Sequence, residues 1–119
     1  MAEVDVHPLS VRSDRKVLYH ASAVTAANLL VGLMDAAYAM AEAAGVDDEQ
    51  VRREMLVPLA RSCVENLATK SPRDALTGPV ARGDWATVAR HEAALAEIDD
   101  ELLELYVALT RRAKQLSSE

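Results

Sequence analysis

Beyond Lys16, only two charged side chains, Asp35 and Glu42, occur before Ala44. No other feature constrains the fold so strongly. Ala, Leu and Val fill the stretch, no proline interrupts it and Gly45 follows it, so it predicts one long helix. Ser13 or Asp14 is placed to cap its start, and Gly45 to take the left-handed position past its end. A helix that is apolar nearly all round must be covered on most sides. It is therefore expected to be buried, either as the central element of the domain or as half of an oligomer interface. The least polar part, Val17 to Met34, reaches membrane-span length by count alone. It also carries His20, Ser22, Thr25 and Asn28, and polar side chains are costly in hydrocarbon. A buried helix of a soluble protein is the reading, with no membrane partner.

With 119 residues, the chain holds one domain with a modest core, but not a dinucleotide-binding domain and a substrate domain together. Half its residues are apolar, yet aromatics make up 3%, with 22 Ala, 15 Leu, one Ile and no Phe. Small and unbranched apolar side chains favour closely packed helices over a sheet. A charged fraction of 27% and a mean hydropathy of −0.02 are those of a globular rather than a disordered chain. The net charge of −6 argues against a nucleic-acid partner, which selects a basic face. The single cysteine, Cys63, excludes an internal disulfide, fits a reducing compartment and is expected in the core. With no basic, apolar leader at its start, the chain is assigned to the cytoplasm.

Residues 1–12 alternate through Val4, Val6, Pro8 and Val11 and read as an extended lead-in of the kind that leaves another domain. The helical domain takes residues 13–119. Asp47 with Gln50 reads as a capping box opening a second helix, whose Val51, Met55, Leu59, Cys63 and Leu67 recur at helical spacing. Pro58 predicts a kink or break around Leu56–Val57. Ser71-Pro72 marks a short helical turn, and Ala75 to Asp84 reads as one long irregular connection. Asp84 caps a helix from Trp85 to about Ile98, with Trp85 packed on a neighbouring helix. A last helix, Asp99 to Leu116, is acidic at its start and basic at its end, as the helix dipole favours. The fold class is all-α: a bundle of four to six helices with a long, nearly all-apolar first one.

No dinucleotide fingerprint, phosphate loop, zinc-protease or nucleophile-elbow motif occurs. Three features remain. Lys16, His20 and Asn28 fall four or eight residues apart, on roughly one helical face. They read either as polar groups satisfied inside a core or as a ligand-facing stripe in which Lys16 and His20 handle protons or anions. Gly78-Pro79 and Gly83 shape a turn that would put Thr77 and Arg82 near a helix N-terminus, where anions bind; ordinary capping explains the same residues. His91 follows two turns into the next helix. His20 and His91 without an acid cluster do not make a metal site, so no metal is expected.

Several segments taken together resemble a known family. They are Lys16-x-x-Tyr19-His20-Ala21 with Asn28, Pro58-Leu59 with Glu65-Asn66-Leu67, and Leu76-Thr-Gly-Pro-Val-Ala-Arg-Gly-Asp84 with Thr87 and Arg90-His91. Their order and spacing resemble the C-terminal helical domain, of DUF2520 type, of bacterial Rossmann-like proteins. These are similar in architecture to ketopantoate reductase and pyrroline-5-carboxylate reductase. The resemblance implies a domain like the 6-phosphogluconate dehydrogenase C-terminal domain, which forms a homodimer and closes a small-molecule substrate cleft. It implies His20 or Lys16 as the proton-handling group, Asn28, Asn66, Thr77, Arg82 and His91 as substrate-facing, and NAD(P) as the cofactor of a full-length protein. This chain has no strand–glycine loop–helix ahead of it, so it is expected to bind no cofactor alone, and the lead-in favours a truncated enzyme. The alternative is a standalone homodimeric interaction or ligand-sensing module without catalysis.

Overall fold

A computed structural model describes residues 12–118, all of whose regular elements are helical. The lead-in read at residues 1–12 lies, Arg12 apart, outside them. The chain divides at Asp35 into two compact units. The first holds a 3₁₀ turn (Ser13–Arg15), α1 (Lys16–Ala26) and the start of α2 (Asn28–Ala43). Neither Ser13 nor Asp14 caps the helix. Both lie within the 3₁₀ turn, where Asp14 sits 3.6 Å from Arg12 and 3.9 Å from Arg15. Ala27 joins α1 to α2 with its N–H still donating to the Ala23 carbonyl, at an irregular φ of −111° and ψ of −66°. The expected long helix is thus present, with one irregularity. The Ser22 and Thr25 hydroxyls bond back to the carbonyls of Tyr19 and Ala21 at 2.7 Å, an arrangement that bends helices.

Within a single copy this helix is not buried, which removes the reading of it as the central element of the domain. Val17 is 82% exposed and Val31 71%, and Leu18 and Leu29 are more than half exposed. Among the described residues the buried apolar side chains are Ala36, Val80, Val88 and Leu95, with no aromatic among them. A core of that size has no surface to spare for covering a thirty-residue apolar rod.

Residues 36–119 form the second unit. The end of α2 closes as the sequence predicts. Gly45 takes φ 109°, its N–H donates to Glu42, and the Val46 N–H donates to Ala41, which is a Schellman closure. Val46 is held again by Arg52, whose Nη1 donates to the Val46 carbonyl at 2.6 Å. With Val46 fixed on both sides, the chain needs Asp47 as a connector, and the cap of α3 (Glu49–Leu67) is Asp48. Its Oδ1 accepts from the Gln50 and Val51 amides at 2.7 and 3.4 Å. The capping box read from Asp47 is therefore one residue early. Pro58 does not break α3, which runs through it. On this helix Arg52, Leu56 and Ala60 turn inward, while Val51, Met55, Leu59, Cys63 and Leu67 form the adjacent exposed ridge. The core position read for Cys63 is corrected accordingly.

Beyond α3, Ser71 caps the single turn α4 (Pro72–Ala75), as expected. The connection read as irregular contains another turn of helix, α5 (Pro79–Arg82), bracketed by Gly78 at φ 89° and Gly83 at φ 70°. The Asp84 N–H returns to the Pro79 carbonyl at 2.8 Å and that of Gly83 to Val80 at 3.1 Å, a second Schellman closure. Asp84 and Asp99 then cap α6 (Trp85–Ala96) and α7 (Asp100–Ser117). These two helices form an antiparallel pair onto which α5 packs through Val80. Trp85 packs on α7, with the Lys114 ammonium 5.1 Å from its ring.

Arg52 is the one buried charged side chain among the described residues, and its Nε has no partner. Its removal strands the Val46 carbonyl and opens a gap beneath the α2–α3 turn. Arg52→Ala is expected to lower stability by about 1–3 kcal/mol, with Arg52→Met recovering part of the loss through packing. Urea unfolding of the three proteins measures both differences, and equal midpoints would refute the role of the Arg52–Val46 bond.

Candidate functional site

The residues read as functional fall in four separate places. Lys16 opens α1, His20 lies one turn on, and Asn28 opens α2. All three are exposed. Their polar groups face water, so the internal partners that a buried stripe would need are not required of this chain.

In the second unit, Asp84, Thr87 and Arg90 make a connected polar group at the start of α6. The Thr87 hydroxyl donates to Asp84 Oδ2 at 2.7 Å, the Thr87 amide to Oδ1 at 3.3 Å, and Arg90 Nη2 to the Thr87 hydroxyl at 2.9 Å. The Thr87 hydroxyl, and after it the Thr87 amide, hold the Asp84 carboxyl below the usual carboxylate range. The Arg82 and Arg90 charges act in the same direction, against some desolvation. The α6 N-terminus thus already holds an anion, the protein's own carboxylate. Arg82 itself ends α5 and is exposed.

Thr77 lines a different place, a cavity of about 270 Å³ between α3 and α4 that it shares with Cys63, Leu67 and Leu76. Asn66 is half-buried in the last turn of α3.

The fourth place is the best formed. His91 Nδ1 lies 2.8 Å from the Tyr106 hydroxyl, and the two rings meet edge to face at 5.7 Å between centroids. They flank a cavity of about 580 Å³ with Met40, Leu95 and Ile98 among its walls. Burial pushes the Tyr106 phenol up, with the Glu92 carboxylate adding to it and a hydrogen bond with Thr110 opposing. Sequence reasoning found His91 but missed Tyr106. A signal was present: the two residues are equidistant from the turn at Ile98–Asp99, where the strands of an antiparallel helical hairpin face each other.

No group of three or more His, Cys, Asp or Glu side chains able to hold a metal ion occurs among the described residues. Taken together, these features define an all-α domain that combines an uncovered apolar helix with a small aromatic-edged cavity in a helical hairpin. The chain belongs to the family of the domain of unknown function DUF2520, whose model matches residues 1–113. No curated protein and no solved structure matches it.

The Asp84 cap carries a sign for pH. Because its carboxyl is held below the ordinary value of about 3.9 in the folded chain, the stability it adds is complete above that value. It is lost as pH falls through the depressed one. The gap in melting temperature between the wild type and Asp84→Asn should therefore be widest at neutral pH and close in acid. A gap that does not change with pH would remove the charge from the explanation.

Proposed function

We propose that this chain is the dimer-forming, substrate-side helical domain of an NAD(P)-dependent oxidoreductase, and that it is inert alone. One observation carries the dimer: the most apolar window of the Ser13–Ala43 helix has none of its residues buried within the chain. Covering one exposed Val or Leu stabilises by roughly 1.5–3 kcal/mol. Several such residues per copy outweigh the ~4–15 kcal/mol lost on association. A two-fold pairing suits this helix because apolar side chains of one copy meet the same set on the other. Ala21, Ala23, Ala26 and Gly32 allow the two backbones to approach closely. The length and composition of this helix would also serve a membrane span. Lys16, His20, Asn28 and Asp35 along it favour a protein partner.

The oxidoreductase context rests on the resemblance of the ordered motifs from Lys16 to His91, with a fold like the 6-phosphogluconate dehydrogenase C-terminal domain. In that setting His20 or Lys16 handles the proton, Asn28 orients the substrate and Arg82 holds an anionic group, with Asn66, Thr77 and His91 also substrate-facing. A dinucleotide needs a strand that runs through a glycine-rich turn into a helix whose N-terminus meets the pyrophosphate. The described residues supply no strand, and of their positive-φ glycines Gly45 closes α2 while Gly78 and Gly83 bracket a single turn of helix. They do not fit NAD(P) on their own, and no hydride-transfer step is drawn through them.

Sedimentation of the full chain at micromolar concentration is expected to give twice its mass of 12.9 kDa. The double variant Val17→Glu/Val31→Glu should run as a monomer with unchanged helix content, since both side chains already face water within one copy. A well-folded wild-type monomer, or flotation with neutral lipid vesicles in place of self-association, overturns the dimer. Calorimetric titration with NADPH should show no binding. Tight, stoichiometric binding overturns the assignment as the substrate-side half.

A further inference from the structure

The geometry points to a ligand site in the cavity beside His91 and Tyr106, shaped for a small molecule with an apolar body and one cationic nitrogen, an arylalkyl or alkyl amine. Its volume of about 580 Å³ lies within the range of small-molecule sites. Its body is apolar, formed by Met40, Ala43, Ala94, Leu95 and Ile98. Its polar side chains are few: His91, Tyr106 and Glu97, of which only Glu97 carries a fixed charge at neutral pH. Ala44, the residue that follows α2, and Glu97, the C-cap of α6, both line it. Two helices therefore end at this cavity with the negative ends of their dipoles. The Glu97 carboxylate adds a full negative charge, and no Lys or Arg lines the cavity.

His91 and Tyr106 complete the site. Their mutual hydrogen bond uses His91 Nδ1, which leaves Nε2 without a partner among the described residues. The Tyr106 ring also brings to the lining an aromatic side chain of the kind that attracts cations. A carboxylate or phosphate placed here meets like charge from Glu97 and from both helix ends. A neutral apolar molecule gains the walls and nothing more. An ammonium with an apolar tail gains both. His91 is shared with the oxidoreductase reading, but the site itself rests on residues 40–106 alone and requires neither a cofactor nor the self-association helix.

The test is nuclear magnetic resonance titration of the labelled full chain with phenethylamine, phenethyl alcohol and hydrocinnamate at neutral pH. These three share one apolar body and differ in charge. Phenethylamine should perturb amides at Met40–Val46, His91–Ile98 and Tyr106, and bind on the order of tenfold more tightly than the alcohol, with the acid weakest. Glu97→Gln alters an exposed side chain and should cut the preference for amine over alcohol to about threefold. Ala94→Leu narrows the cavity and should weaken amine and alcohol alike. If Ala94→Leu fails to fold, the selectivity of Glu97→Gln still decides. No perturbation at millimolar amine, equal binding of amine and acid, or an unchanged preference in Glu97→Gln each overturns the site.

Discussion

Transfer of apolar side chains out of water is the dominant force that favours folding, and in this chain the longest helix leaves that transfer incomplete. Val17, Leu18, Leu29 and Val31 stand in solvent on α1 and α2, while the buried apolar residues among those described are Ala36, Val80, Val88 and Leu95. The composition explains the imbalance. A chain with 22 Ala, 15 Leu and no Phe buries little per residue where helices meet. Such a chain makes closely spaced helices with a thin core. What the single chain does not cover is concentrated on two ridges, one along α1 and α2 and one along α3.

A thin core shifts the burden of specifying the fold onto helix ends. Asp48, Ser71, Asp84 and Asp99 each accept a backbone amide at a helix start. Gly45 and Gly83 each close a helix with the same pair of backbone bonds. Each device is local: its partners lie within a few residues. Arg52 extends the same logic across a turn, tying α3 to the carbonyl that follows α2. Asp84 is the most economical case. Its amide completes the closure of α5 and its carboxylate opens α6, so one residue fixes both helices.

This locality decides what was legible in the sequence. The all-α class, the stop at Gly45, the Ser71-Pro72 turn and the caps at Asp84 and Asp99 were readable because each depends on residues close in the chain. The errors have physical causes. Asp47 and Asp48 are chemically alike, and the choice between them is made by Arg52 holding Val46, a contact invisible to local pattern. A run of apolar residues signals that a helix must be covered but not by which chain, so α1 and the start of α2, read as buried in a core or an interface, are exposed in a single copy, as is Cys63. The helical turn at Pro79–Arg82 was hidden because its length is at the limit of any periodicity. Tyr106 was missed because its partnership with His91 spans the hairpin turn.

The two uncovered features of the chain draw on different residues and different physics. The ridge on α1 and α2 uses Val17 to Leu33 and gains from area, which is indifferent to charge and grows as water is excluded. The cavity uses Met40 to Tyr106 and gains selectivity from the sign of the field where α2 and α6 end. The two sets lie in different compact units of the chain. Charge added on the helix face can therefore disrupt self-association while the aromatic cavity keeps its preference. Loss of Glu97 can weaken that preference while the assembly stays intact. For this chain, then, the surface that sets the assembly and the cavity that sets the chemistry are separable by single substitutions, although both arise from the same shortage of large side chains.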